Sequence, residues 1–278
     1  MRVLADIHVH LYDCFAIPRW IEAAMQNLQE AAHRTGEEDD WCGVLCVLTT
    51  GKGSFSGMVE RIQVSLEGGG YSVEEHQEGA ARVSSPSGGE LLLIPGRQMV
   101  TYEALEILEV GTESDLPSGH AVDYLLNAIR ERGGIPVLPW SPGKWTFRRG
   151  RQIRNLIDAY IPGKFVLSVS SLLPRSSPLP GLLKLARGAG YVVAAGSDSL
   201  PLPGEERYVG SPATHVPTGF DPCQPVTSLR RGLLEVSGGV GVVGERPGAG
   251  EVALRLLRLA RRKRATGPET NRSSGAVQ

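Results

Sequence analysis

The chain offers one compact arrangement of side chains able to do chemistry, Asp6-Ile7-His8-Val9-His10, at the end of a short apolar segment that begins at Val3. In an extended backbone side chains alternate, so His8 and His10 project to one side. Two neutral imidazoles on one face supply half of a transition-metal site. Far along the chain, a second apolar segment ends in a carboxylate, Ala194-Ala195-Gly196-Ser197-Asp198. In a closed parallel barrel the first and last strands are neighbours, which would bring Asp198 to the His pair. Three ligands of this kind hold one zinc-like ion with a position left open for water.

Positioning such residues requires a regular scaffold, and the pattern between them supplies one. Val3–His8, Trp41–Thr49, Glu90–Val100, Ala104–Val110, Ile135–Leu138, Phe165–Ser170 and Tyr191–Ala195 read as strands. Ile17–Arg34, Met58–Leu66, Gly119–Arg132, Arg151–Tyr160, Leu182–Arg187 and Glu251–Lys263 read as helices, the last with leucines on one side. The polar, glycine-rich stretch Tyr71–Gly89 reads as a hairpin insertion. Alternating strands and helices predict a parallel sheet, closed as a barrel so that residues from both ends of the chain meet at one mouth. The reading is a single domain over 1–264, followed by a disordered polar tail over 265–278.

Composition bounds the function. The chain has 278 residues, 41% of them hydrophobic, and a net charge of -1. That balance gives no global attraction to nucleic acid or to an anionic membrane, so neither is expected as a partner. No apolar stretch spans a bilayer, and no secretory signal or paired-cysteine framework is evident, so a cytoplasmic location is expected. Cys42 and Cys46 fall in an apolar run and read as core. Gly51-Lys52-Gly53 lacks the spacing of a phosphate loop. Ser170 and Ser197 have no evident His partner, which argues against a serine hydrolase. His33, His76, His120 and His215 read as ordinary surface residues.

Several segments together, in order, resemble the polymerase and histidinol phosphatase (PHP) family of metal-dependent hydrolases. That family opens with Asp-x-His-x-His, matched by Asp6, His8 and His10. Its Gly-x-Glu aligns with Gly96-Arg97-Gln98. Its Gly-Gly-x-x-x-x-x-His-Pro aligns with Gly133-Gly134 leading to Trp140-Ser141-Pro142, the His slot falling on Ser141 before the proline or on Trp140 if the alignment slips by one, and its Gly-Ser-Asp-x-His with Gly196-Ser197-Asp198-Ser199-Leu200. The resemblance implies a distorted, seven-stranded relative of the parallel β/α barrel. It also implies a metal-dependent phosphoesterase acting on a small anionic substrate, with Asp6, His8, His10 and Asp198 as its catalytic set. Asp6 is expected to orient a ligand imidazole, and His8, His10 and Asp198 to hold zinc or manganese. Where the family has three further ligands this chain has Gln98, Ser141 and Leu200, so it is a degenerate member expected to hold one ion at most. Glu103 or Glu106 is the candidate replacement carboxylate. The alternative is a binding or scaffold protein that has lost catalysis. Arg97, Lys144, Arg148 and Arg175 fall in loops expected at the mouth, where they would bind the anion.

Overall fold

A computed structural model describes residues 1–36, 40–51, 53–217, 219–235 and 239–265. Lys52 and the tail beyond Ala265 lie outside the described residues. The strands are β1 (Arg2–Val9), β2 (Trp41–Thr49), β3 (Ser72–Glu75), β4 (Ala81–Ser84), β5 (Glu90–Val100), β6 (Glu106–Val110), β7 (Ile135–Pro139), β8 (Val166–Ser170), β9 (Val193–Gly196), β10 (Ala213–Val216) and β11 (Gly241–Val243). The helices are α1 (Ile17–Thr35), α2 (Phe55–Leu66), α3 (Val122–Glu131), α4 (Phe147–Ala159), α5 (Gly181–Gly188), α6 (Pro225–Leu234) and α7 (Ala249–Ala265).

All eleven strands form one sheet, whose main path runs β11-β10-β1-β2-β5-β6-β7-β8-β9, with the hairpin β3–β4 set against β5. The sheet is mixed, which corrects the expectation of a seven-stranded parallel barrel. β1, β2 and β5 are parallel, as are β7, β8 and β9. β6 runs against both of its neighbours, and β10 runs against β1. The physical reason lies in the connection Thr101–Leu105 between β5 and β6. It is too short for the crossover that a parallel pair needs, so the chain turns straight back.

The sheet curls until β9 returns beside β1, and the barrel nearly closes. The seam is joined by side chains in place of a strand ladder. The Thr214 hydroxyl lies 2.8 Å from the Ala195 amide it accepts from and 2.9 Å from the Ala195 carbonyl it donates to. The Asp198 amide donates to the His8 carbonyl at 2.9 Å. Gly196 is required here, because a Cβ would stand 2.6 Å from both the His8 amide nitrogen and the His8 Cβ.

Apolar residues sort into an interior and an outer layer. Inside lie Val3, Ala5 and Ile7 of β1 with Val44, Cys46, Ile94, Val137 and Val166, and α6 adds Val226, Leu229 and Leu233. Outside, α1 and α2 cover one side of the sheet, and α3, α4 and α5 cover the other. Ile7 faces the interior but Val9 packs in the outer layer. Unbroken alternation would put both on one face, and the register shift between Asp6 and Val9 explains the change.

Candidate metal centre

His8 is the penultimate residue of β1 and His10 follows the strand, so the irregular end of that strand positions both rings. They are buried, at 2% and 4% exposure. Their Nε2 atoms lie 3.2 Å apart. Asp198 follows β9 across the seam, and its Oδ1 is 3.4 Å from His8 Nε2. One ligand atom from each of His8, His10 and Asp198 lies within 4.8 Å of the others, so the structure brings together the three expected ligands.

Hydrogen bonding fixes what these atoms offer. His10 Nδ1 lies 3.3 Å from the Leu48 carbonyl, so it carries the proton and leaves the Nε2 lone pair aimed into the cluster. Burial, and then the neighbouring His8, lower the His10 pKa to about 4 against the pull of Asp198, so the imidazole is neutral at ordinary pH. His8 Nε2 therefore faces a nitrogen lone pair, a carboxylate oxygen and, at 3.3 Å, Gln98 Oε1. A single N–H satisfies only one of three acceptors. A divalent cation satisfies all of them, so the donor set fits a metal.

Asp198 has φ of 43°, a left-handed conformation uncommon outside glycine, asparagine and aspartate. Ser141 Oγ donates to its second oxygen at 3.0 Å. Gln98 and Ser141 thus occupy the cluster as the aligned motifs imply. Leu200 does not. It packs with Leu172, Leu202 and Val252 beneath α7, because the chain after Asp198 turns away from the mouth.

Asp6 differs from expectation. It is fully buried, and its carboxylate bonds no imidazole. Oδ1 accepts the amides of His8 at 3.2 Å and Ser197 at 2.8 Å, and Oδ2 accepts the amide of Gly210 at 2.8 Å. Burial raises its pKa to about 6 while these donors pull it down, so it is ionised at neutral pH. Asp6 therefore joins three backbone segments at the seam and fixes the backbones of two ligand-bearing strands.

The four basic residues diverge. The Lys144 ammonium pairs with Glu106. Arg148 is exposed on the first turn of α4. Arg97 is committed to backbone carbonyls, Ser114 at 2.7 Å and Gly51 at 3.2 Å. Arg175 lines two adjoining cavities with Glu245 and Arg246, neither of which is walled by a metal-centre residue. The candidate carboxylates are also committed: Glu106 to Lys144, and Glu103 to capping α3 through the Val122 amide at 3.0 Å. Tyr12 was missed by sequence reading. Its ring lies 5.4 Å from that of His10. Burial, and then Asp198, raise its phenol pKa, so it remains a neutral donor.

No family model matches the chain, and no curated protein matches it. Solved structures do. PsfC from Pseudomonas syringae PB-5123 aligns over 96% of this chain and 99% of its own length, at 16% identity and a TM-score of 0.51. At that identity the likeness shows the fold alone. A lesion-specific endonuclease, Endonuclease Q from Pyrococcus furiosus, aligns over 87% of this chain but 58% of its own, at 12% identity and a TM-score of 0.47. Endonuclease Q in complex with a 27-mer duplex bearing an abasic lesion aligns over the same shares, with a TM-score of 0.48. The expectation that nucleic acid is not a partner is withdrawn. It rested on net charge and on reading the basic run Arg261–Arg264 as a solvated helix end, and neither excludes a local nucleic-acid site. No helix among the described residues is long and apolar enough to cross a membrane.

Proposed function

We propose that the chain is a degenerate PHP-type, single-metal hydrolase that cleaves a phosphoester in a small anionic substrate. The observation that carries this reading is the meeting of two buried imidazoles and a partly buried carboxylate, with acceptor atoms facing one another within 4.8 Å. His8, His10 and Asp198 would hold zinc or manganese, which when bound lowers the pKa of water and polarises the scissile bond. The remaining chemistry belongs to this chain. The His10 proton sits on Nδ1, so its free nitrogen is ready to ligate without losing a proton. Asp6 keeps the backbones of the His8 and Asp198 segments in register. The Tyr12 phenol, held protonated, would donate to the substrate. Lys144, freed from Glu106 by a more strongly charged partner, and Arg148 would hold the anion.

Protein loaded with zinc or manganese is expected to hydrolyse p-nitrophenyl phosphate esters, and His8→Ala to remove that turnover. Turnover that persists in His8→Ala contradicts the assignment. A second reading, a binding protein without catalysis, is favoured by the neutral Gln98 and Ser141 bonded to the ligands. A panel of phosphorylated compounds that raises Tm with no turnover under any divalent ion would select it.

A further inference from the structure

α7 presents an unusual anchor. Of its residues only Val252 and Arg255 are buried, and Arg255 is 1% exposed. Its guanidinium meets Glu205, with Nε 2.9 Å and Nη2 2.6 Å from Oε2. It also donates to Ser171, from Nη2 to Oγ at 3.0 Å and from Nη1 to the carbonyl at 3.3 Å. The Tyr208 ring covers one face, with its centre 3.8 Å from the guanidinium carbon. A buried ion pair is weak evidence for stability, since apolar residues of similar size often do as well. What it does well is fix position.

Both partners of Arg255 hold the segment that carries Asp198. Ser171 donates to the Ser197 carbonyl from its amide at 3.3 Å and from its hydroxyl at 2.5 Å. Glu205 Oε2 accepts the Leu200 amide at 3.2 Å. Asp198 lies between these two clamps with its positive φ, a conformation that persists only where the surroundings impose it.

We infer that Arg255 is a positioning residue for the metal centre: through Ser171 and Glu205 it clamps both flanks of Asp198, making α7 part of the site. The metal half of this inference rests on the function proposed above; the clamp itself does not.

The test uses the full chain and zinc alone as probe, comparing wild type with Arg255→Met and Arg255→Lys. Three quantities are read: amide hydrogen exchange over Ser197–Leu200, the zinc Kd by chelator competition, and Tm. Arg255→Met is expected to speed exchange in that segment selectively, leaving β2 and β5 unchanged. It is also expected to weaken zinc binding by about ten- to a hundredfold, the usual effect of removing a group that orients a ligand. Arg255→Lys, which keeps one donor to Glu205, is expected to recover part of the affinity. Exchange and Kd at wild-type values in Arg255→Met, or exchange that rises uniformly with a fall in Tm, would overturn the inference. If Arg255→Met does not fold, Glu205→Gln gives the same readings, since it keeps the shape and removes the charge. Failure of wild type to bind zinc would remove the proposed function, and the exchange data alone would then decide the clamp.

Discussion

Two buried polar clusters flank the segment 197–205, and they are built in opposite ways. In the Arg255–Glu205–Ser171 cluster, donors meet acceptors throughout, and a cation sits between a carboxylate and an aromatic face. In the His8–His10–Asp198 cluster, acceptors face acceptors, and one N–H is available for three of them. A saturated cluster holds the chain in place, whereas an unsaturated one is kept for something that arrives later, at a standing cost to the unliganded fold.

The largest test of this contrast removes one partner from the saturated cluster. Glu205→Ala leaves Arg255 buried with an uncompensated charge, and is expected to destabilise the fold by about 3–5 kcal/mol in urea titration. A loss below about 1 kcal/mol would show that the guanidinium finds water, and that the cluster is looser than it looks. The matching change in the unsaturated cluster has the opposite sign. Asp198→Asn keeps the shape, suits the left-handed backbone, and removes a charge that faces other acceptors. The metal-free protein is expected to gain about 0.5–1 kcal/mol while losing zinc affinity, the trade seen where function is kept at the expense of stability. Gln98→Glu sharpens the same point. A second carboxylate 3.3 Å from His8 Nε2 should tighten zinc binding about tenfold by isothermal titration.

The smallest expected effect is on pH dependence. His10 has a folded pKa lowered from 6.5 to about 4, so the unfolded chain binds the extra proton and stability falls as pH drops through that window. Asp6 has a folded pKa raised from 3.8 to about 6, so the folded state binds the extra proton. Its contribution is full below 3.8 and is lost as pH rises through 6. The two windows overlap with opposite slopes. Wild-type stability is therefore expected to be nearly flat from about pH 4 to 6. Asp6→Asn, which removes one slope, should become steadily less stable on acidification, as followed by denaturant midpoints. Parallel profiles for the two proteins would contradict the assignment.

The ligand residues were legible because their signal is local. His8 and His10 are two apart on an extended backbone, and Gly196-Ser197-Asp198 carries its own reason in the close approach to His8. The main strands and helices were legible from periodicity, apart from the helix α6 and the short strands β10 and β11. What failed was long-range. Nothing near Asp6 announces that the Gly210 amide will reach it, and a short β5–β6 connection decides strand direction more strongly than the overall alternation does. The basic loop residues misled because charge in a loop says nothing of where the loop goes. Arg97 turns to backbone carbonyls, and Arg175 to another face. Arg255 did leave a trace. It lies among Val252, Leu256 and Leu259 at the spacing of the apolar stripe of α7, where an arginine must have a buried partner.

The central claim is that His8, His10 and Asp198 together hold one divalent ion. Elemental analysis of protein purified without chelator and equilibrated with zinc, beside the His8→Ala variant, tests it most directly. One zinc per chain in the wild type and none in His8→Ala is the predicted result. Two or more ions per chain, or equal zinc in both proteins, would contradict it.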